Sequence, residues 1–137
     1  MQRTATATWL GDLKVGHGTF ATGSGAFAAQ PYSFRTRFES APGTNPEELI
    51  AAAHASCFSM ALSAQLGERG IVPAAVETAC AVTFENLTLT RSVLTTTVRA
   101  PGADAATVQE AAAAAKAGCP ISKVLNLQIE LHLTVAA

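Results

Sequence analysis

The chain has 137 residues, with nine Lys plus Arg against ten Asp plus Glu and a formal net charge of −1. Its length predicts one domain over residues 1–137, and the lack of a charge run argues against a nucleic-acid-binding surface and a polybasic membrane patch. Charged residues make up 14% of the chain, well below the fraction of about 25% in typical soluble domains. So low a fraction of charged residues predicts an extensive buried interface.

The N-terminal residues 1–9 alternate Thr and Ala and lack the apolar core of a signal peptide, so we expect a cytoplasmic protein. No segment is expected to cross a membrane, because polar residues such as His54 and Gln65 interrupt the most apolar stretch. Three cysteines at wide spacings, without a Cys-x-x-Cys pair, argue against a zinc or thioredoxin-type site. In a reducing compartment such thiols are either unreactive or take part in the chemistry of the protein.

The first part of the chain predicts three strands, at residues 3–10, 15–21 and 32–39. The third alternates most clearly, with aromatic residues and Thr on one face. This alternation predicts that Arg35 and Arg37 point in the same direction.

Residues 44–70 predict one long helix that carries Cys57. Asn45 suits the N-cap, Pro46 suits the first helical position, and Gly70 suits the left-handed residue after the last turn. Apolar or small residues fall on nearly every face, which is typical of a helix buried all round. About 24 residues span about 36 Å, so we expect a second subunit to provide part of the cover.

The second part of the chain predicts a strand pair, a helix, a short helical turn and a last strand. Asn86 lies in the connection of the strand pair, Asp104 or Thr107 caps the helix, and Cys119 caps the turn that Pro120 opens. The strand pair covers residues 75–85 and 87–100, the helix ends at Ala117, and the last strand covers residues 128–135. The order βββ-α-ββ-α-β with antiparallel hairpins predicts an α+β domain.

Cys57 and Cys119 are the residues that could carry chemistry. A cysteine inside a buried helix is often a small hydrophobe, but a guanidinium from Arg35 or Arg37 would favour its nucleophilic thiolate. Cys119 lies in the first turn of a helix, whose unpaired N–H groups stabilise a thiolate. We interpret Cys80, in an alternating strand, as core packing.

His54 precedes Cys57 by three residues and therefore shares its helix face. The two could form a Cys–His pair, but a buried histidine satisfied by other groups is the preferred interpretation.

Three segments, 30–39, 43–62 and 116–125, closely resemble the OsmC family, which comprises osmotically inducible protein C and the organic hydroperoxide resistance proteins. They contain Thr-Arg-Phe-Glu, Asn-Pro-Glu-Glu, His-Ala-Ser-Cys-Phe and Gly-Cys-Pro-Ile-Ser. The similarity covers nearly the whole chain, and the segment 32–39 is closer to the OsmC branch.

The resemblance implies a thiol-dependent peroxidase with an OsmC-like fold, in which a long central helix packs on an antiparallel sheet in an intertwined homodimer. Cys57 would be the peroxidatic cysteine and Cys119 the resolving cysteine, joined through a sulfenic acid and then a disulfide. Arg37 would activate the thiolate and orient the peroxide, and Glu47 would hold this arginine, although Arg35 and Glu48 lie close enough in sequence to take these roles. A lipoyl-type or small dithiol would be the external reductant, and no metal or organic cofactor is expected.

Helix geometry adds a constraint on this site. Glu47 and Cys57 are ten residues apart, which is about 15 Å along a straight helix. We therefore expect Glu47 to serve a Cys57 site either across a dimer interface or through a kinked helix.

Two other functions are compatible with the sequence. One is acyl transfer or hydrolysis by Cys57 with His54 as base, and the other is a non-catalytic dimer that binds an apolar ligand. The preferred hydroperoxide is not encoded, although the cluster of Phe58, Met60 and Leu62 favours an apolar pocket.

Overall fold

The computed structural model describes residues 1–136, and the chain divides between Leu49 and Ile50 into two units. Both helices and sheets are present, so the α+β class is confirmed, while the single domain stays a prediction. The elements in chain order are β1 (Ala5–Leu10), β2 (His17–Thr22), β3 (Gln30–Tyr32), α1 (Phe34–Phe38), α2 (Pro46–Glu68), β4 (Ala75–Glu85), β5 (Thr88–Arg99), α3 (Ala105–Gly118), α4 (Pro120–Val124) and β6 (Gln128–Ala136).

The first unit contains an antiparallel sheet in the order β1-β2-β3. Gly18 is placed where a Cβ atom would come within 2.7 Å of the rings of Trp9 and Tyr32. The absence of a side chain therefore lets these two rings approach, with centroids 5.6 Å apart. Gly18 is the one buried residue among the three strands, so the sheet has no covered face within this chain.

The prediction of a strand over residues 32–39 is wrong beyond Tyr32, because residues 34–38 form the short helix α1. A capping box decides the conformation: Ser33 Oγ accepts from the Thr36 amide, and Thr36 Oγ1 accepts from the Ser33 amide. In a helix, residues two apart point to different sides. Arg35 and Arg37 therefore do not share a face.

Helix α2 begins and ends with the predicted signals. Asn45 Oδ1 accepts from the Glu48 amide at 2.8 Å. Gly70 has φ +74, and the amides of Gly70 and Ile71 donate to the carbonyls of Gly67 and Leu66, which is a Schellman motif. The capping signals in the sequence therefore lie at the two ends of α2, as predicted.

One stripe of α2 is buried, and its members are four residues apart: His54, Phe58, Leu62 and Leu66. The expectation of burial on every face is not met within a single chain, since Met60 is 76% exposed. By length and composition α2 does meet the criterion for a membrane span, with a mean hydropathy of 1.4. We expected the polar residues of this stretch to rule out a membrane-spanning helix. By composition alone they do not.

The second unit contains a sheet in the order β4-β5-β6. β4 and β5 form the predicted antiparallel hairpin, whose turn residues Asn86 and Leu87 have φ 49 and φ 58. β6 is parallel to β5, so the prediction of a purely antiparallel sheet is wrong. The reason is the connection through α3 and α4, because parallel neighbours need a crossover of this length.

The core of the second unit combines the α2 stripe with β5 and α3. Asp104 caps α3 through its bond from the Thr107 amide, as one of the two predicted capping residues. The buried apolar residues that these elements contribute are Phe58, Leu62, Leu66, Leu94, Val98, Ala100, Val108, Ala111, Ala112, Ala115 and Cys119. One of the two predicted functional cysteines is thus part of the core.

Candidate active site

Two predicted site residues, Cys57 and Cys119, meet in the second unit with their Sγ atoms 3.0 Å apart. Cys57 lies on α2 beside the buried stripe, and Cys119 ends α3 and caps α4. Cys119 is fully buried, whereas Cys57 is partly exposed. A reagent from solvent therefore reaches Cys57 more readily than Cys119.

The two thiols share a hydrogen bond, and their titrations are linked. Burial, followed by the hydrogen bond with Cys119, raises the pKa of Cys57. Burial also opposes ionisation of Cys119, but hydrogen bonding from Cys57 and then from Ser122 lowers the pKa of Cys119. Burial therefore works against a thiolate on Cys57, and a peroxidatic role for Cys57 requires a positive charge near its sulfur.

The other two predicted residues, Arg37 and Glu47, form an ion pair in the first unit. Glu47 Oε1 accepts from Arg37 Nε at 3.1 Å and from Nη2 at 2.8 Å. The Glu47 side chain is only 11% exposed. Its second oxygen, Oε2, is buried without a hydrogen-bond partner among the described residues. A buried carboxylate with one free oxygen can accept a further donor.

The neighbouring charged residues do not form this pair. Arg35 binds Glu39 on the surface, where the two side chains are 72% and 53% exposed. Glu48 is exposed, and its amide is bound by Asn45. Of the alternatives that the sequence left open, the structure thus joins Arg37 with Glu47.

Arg37 also lines an aromatic pocket in the first unit. The cavity has a volume of about 250 Å³ and is lined by Trp9, Leu13, Tyr32, Ser33, Phe34, Arg37 and Phe38. The Arg37 guanidinium lies 5.3 Å from the centre of the Phe38 ring. A cation beside an apolar wall can bind a molecule with one polar and one apolar end.

His54 is fully buried and satisfied, which confirms the preferred interpretation of this residue. Its Nδ1 lies 2.7 Å from Ser92 Oγ, and its Nε2 lies 2.8 Å from Ser122 Oγ. Burial lowers the pKa of His54, so the ring is neutral at neutral pH. Both nitrogens are engaged by serines, and no nitrogen is left to act as a base for Cys57.

Sequence reasoning missed the two serines that bind His54. Ser92 lies on β5 in the same alternating register as Leu94 and Val98, which are both fully buried. A hydroxyl on the apolar face of a strand is a signal for a buried polar partner. Cys80, interpreted as core packing, has its Sγ 3.1 Å from Ser92 Oγ and so contacts the same group.

Within residues 1–136, no group of three or more His, Cys, Asp or Glu is arranged to hold a metal ion.

Comparison with known proteins gives one family model, OsmC-like protein, which matches residues 39–134. Peroxiredoxin OsmC of Escherichia coli is 50% identical over 129 residues, covering 91% of this chain and 90% of that protein. The protein of the same name from Shigella flexneri matches equally well.

Among solved structures, an OsmC-like protein of Vibrio cholerae superposes with a TM-score of 0.79 at 14% identity, covering 98% of this chain and 99% of that one. The organic hydroperoxide resistance protein OhrB of Bacillus subtilis superposes with a TM-score of 0.68 at 26% identity, covering 96% and 98%. The first likeness concerns the fold alone.

Proposed function

The chain belongs to the OsmC-like family, and from this premise we propose that it is a thiol-dependent peroxidase that reduces organic hydroperoxides through Cys57 and Cys119. The observation that carries the proposal is the 3.0 Å separation of the two sulfur atoms. It places a second thiol where it can react with an oxidised first thiol at once. The 50% identity to Peroxiredoxin OsmC of Escherichia coli supports the same activity.

The first step oxidises Cys57. Its thiolate attacks the terminal oxygen of the hydroperoxide, the O–O bond breaks, and the alkoxide leaves as the alcohol by taking up the proton that the thiol released on ionising. Cys57 becomes a sulfenic acid. The partial exposure of Cys57 gives the peroxide access to this sulfur.

The second step forms the disulfide. The Cys119 sulfur attacks the Cys57 sulfur, and the hydroxyl leaves as water with the proton that Cys119 loses. An external dithiol of the lipoyl type or another small dithiol then reduces the disulfide by two exchange reactions. No metal takes part in these steps.

We infer that Arg37 supplies the positive charge that stabilises the Cys57 thiolate, and that this Arg37 comes from a second copy of the chain. Helix α2 is continuous from Pro46 to Glu68, so Glu47 and Cys57 are separated by about 15 Å along it. A guanidinium bound to Glu47 therefore serves Cys57 best from another subunit. There it stabilises the thiolate and can hydrogen-bond the peroxide.

Two features support a homodimer. The first sheet has no covered face within the chain, and a three-stranded sheet needs one for stability. α2 exposes a face of small residues around Met60, which lets a second helix approach closely. A second copy would cover both surfaces.

The acyl hydrolase alternative is not favoured by the site. It requires a base next to Cys57, and the two nitrogens of His54 are already bound to Ser92 and Ser122. We also propose a cytoplasmic location, because three cysteines at wide spacings without a Cys-x-x-Cys pair suit a reducing compartment.

Turnover with a dithiol tests the activity. Purified protein is given dihydrolipoamide and either cumene hydroperoxide or hydrogen peroxide, and peroxide loss is followed for wild type, Cys57→Ser and Cys80→Ser. We expect wild type and Cys80→Ser to consume the organic hydroperoxide, and Cys57→Ser to be inactive. A wild type that consumes neither oxidant would overturn the proposed function and would favour the ligand-binding dimer.

Mixed dimers test the composite site. Arg37→Met chains are refolded or co-expressed with Cys57→Ser chains that carry a different affinity tag, and the mixed species is isolated. If Arg37 acts across the interface, one site of each mixed dimer is intact and activity returns. Activity restricted to sites with both residues in one chain would leave the mixed dimer inactive and contradict the proposal.

A further inference from the structure

Cys119 lies at the corner between α3 and α4. Helix α4 has only five residues, and a helix of that length keeps its place only through tertiary contacts. Three of its residues are exposed, while Ile121 is half-buried and Ser122 is buried. The position of the Cys119 sulfur therefore depends on what holds Ile121 and Ser122.

Ser122 is held by His54. Its Oγ lies 2.8 Å from His54 Nε2, and within residues 1–136 this is the one side-chain hydrogen bond that α4 makes. Ile121 packs against the apolar core, and apolar contacts have no fixed direction. The bond to His54 is therefore the directional contact that orients α4.

His54 is itself fixed on its other side. The ring is fully buried, and its Nδ1 lies 2.7 Å from Ser92 Oγ on β5. A serine hydroxyl can donate or accept, so either tautomer of the neutral ring satisfies both serines. Loss of the bond to Ser122 would leave a buried nitrogen without a partner, which is unfavourable. The imidazole thus links the sheet, α2 and α4 whichever nitrogen carries the proton.

The same two segments carry the two cysteines. His54 precedes Cys57 by three residues, and Ser122 follows Cys119 by three residues, so each polar residue lies about one helical turn from its cysteine. The imidazole contacts the hydroxyl at 2.8 Å, and the sulfur atoms lie 3.0 Å apart. A thiol is a weak donor and a weak acceptor. The sulfur contact alone therefore does not fix its own length.

We propose that the hydrogen bond between His54 and Ser122 is a clamp that holds Cys119 within reach of Cys57, which makes His54 and Ser122 positioning residues for disulfide formation. This inference rests on the proposed function. The peroxide step converts the Cys57 thiol into a sulfenic acid, so the contact between two thiols does not last through the cycle. The clamp contains neither sulfur, and it keeps Cys119 in place for its attack on Cys57.

The clamp has a thermodynamic consequence. It raises the effective concentration of one sulfur at the other. Without it, α4 gains freedom while the two cysteines are reduced, whereas the disulfide still ties Cys119 to α2. The dithiol form is then favoured relative to the disulfide. The clamp therefore affects the redox equilibrium of the pair as well as the rate of disulfide formation.

A redox equilibrium tests the clamp without peroxide. The protein is equilibrated with mixtures of dihydrolipoamide and lipoamide, quenched in acid and alkylated in urea, and its intact mass counts the free thiols. In this exchange dihydrolipoamide gives two electrons and two protons to the protein disulfide and becomes lipoamide. We expect Ser122→Ala to lower the equilibrium constant for the disulfide about tenfold, which raises the reduction potential by about 30 mV.

The matched control is Ser59→Ala. Ser59 lies on the same helix, two residues after Cys57, and its Oγ donates to Thr78 Oγ1 on β4 at 2.8 Å. The change removes a half-buried hydroxyl that links α2 to the sheet, and it leaves α4 untouched. We expect it to lower the stability of the fold without moving the redox equilibrium.

A double variant tests whether the two residues act through one bond. His54→Leu removes the other end of the clamp and should shift the redox equilibrium in the same direction as Ser122→Ala. The two changes together should shift it no further than Ser122→Ala alone, because a bond that is already lost has no further effect.

Rapid mixing with cumene hydroperoxide separates the two halves of the oxidation. We expect Ser122→Ala to slow disulfide formation about tenfold and to change sulfenic acid formation by less than about twofold. Ser59→Ala should resemble wild type in both steps. Equal slowing of both steps in Ser122→Ala would contradict a clamp that acts on Cys119.

Three results of the equilibrium experiment would overturn the clamp: an unchanged equilibrium in Ser122→Ala, an equal shift in Ser59→Ala, or additive shifts in the double variant. Should His54→Leu fail to fold, the comparison of Ser122→Ala with Ser59→Ala decides alone, since each removes one hydroxyl. If wild type consumes no peroxide, the proposed function fails, while the redox equilibrium still decides on the clamp.

Discussion

Cys57 and Cys119 are 62 positions apart in the chain, yet their Sγ atoms lie 3.0 Å apart. A disulfide would require the sulfur atoms to approach by about 1 Å, because the bond length is about 2.05 Å. The fold therefore brings the two thiols together before any oxidation takes place.

Oxidation should stabilise the folded protein. Closing a loop of this length restricts the unfolded chain and raises the free energy of unfolding by about 2–4 kcal/mol. Urea unfolding of the reduced and oxidised forms at equal protein concentration measures the difference, with Cys119→Ser as the control that should show none. An oxidised form that unfolds more easily would mean that the bond distorts this fold.

Glu47→Gln should impair the peroxide step. The amide keeps the shape of the carboxylate but loses the charge that holds Arg37 at 2.8 Å. Arg37 is 38% exposed, so solvent screening limits the loss of stability to about 1 kcal/mol. We expect the rate of sulfenic acid formation to fall about tenfold.

The matched control is Glu39→Gln, which removes the partner of Arg35 from an exposed pair at 3.3 Å. It should leave both rate and stability near those of wild type. Equal losses in the two variants would show that Glu47 has no special role in holding Arg37.

His54 should make the stability depend on pH. Its pKa is lowered from 6.5 by burial, so the unfolded chain binds a proton that the folded chain does not. The stability contribution is complete above pH 6.5 and is lost as the pH falls from 6.5 through the lower folded pKa. Urea midpoints at several pH values should show this loss in wild type and a smaller one in His54→Gln.

Asp104 should contribute a second, more acidic dependence. Hydrogen bonds from the Thr107 hydroxyl and then from its amide lower the pKa of Asp104 from 3.8. Its contribution is therefore present above pH 3.8 and is lost as the pH falls through the lower folded value. Asp104→Asn keeps a good N-cap without the charge, so wild type should lose stability relative to this variant only in acid.

Local signals predicted most of the fold, and the errors have identifiable causes. The alternation of residues 32–39 matched a strand, but Ser33 and Thr36 are spaced for a capping box, which the structure uses. The direction of β6 was not encoded locally, because it depends on how α3 and α4 cross the sheet. Where a sequence pattern fits both a strand and a helix, the capping residues determine which of the two forms.

The site was predictable in part. Cys57, Cys119, Arg37 and Glu47 lie in sequence motifs that mark them as candidates, and the structure joins them as two pairs. The contacts of His54 could not be read from spacing, because Ser92 and Ser122 are 38 and 68 positions away on other elements. Long-range polar contacts of this kind are set by packing.

The most direct test of the two-cysteine cycle is the intact mass and thiol content of the protein after one equivalent of cumene hydroperoxide without reductant. Wild type should lose two thiols and two hydrogen atoms, with Cys57 and Cys119 joined in one peptide. Cys119→Ser should gain one oxygen at Cys57, and Cys57→Ser should be unchanged. Oxidation of Cys57→Ser at Cys119, or a wild type that retains all its thiols, would contradict the account.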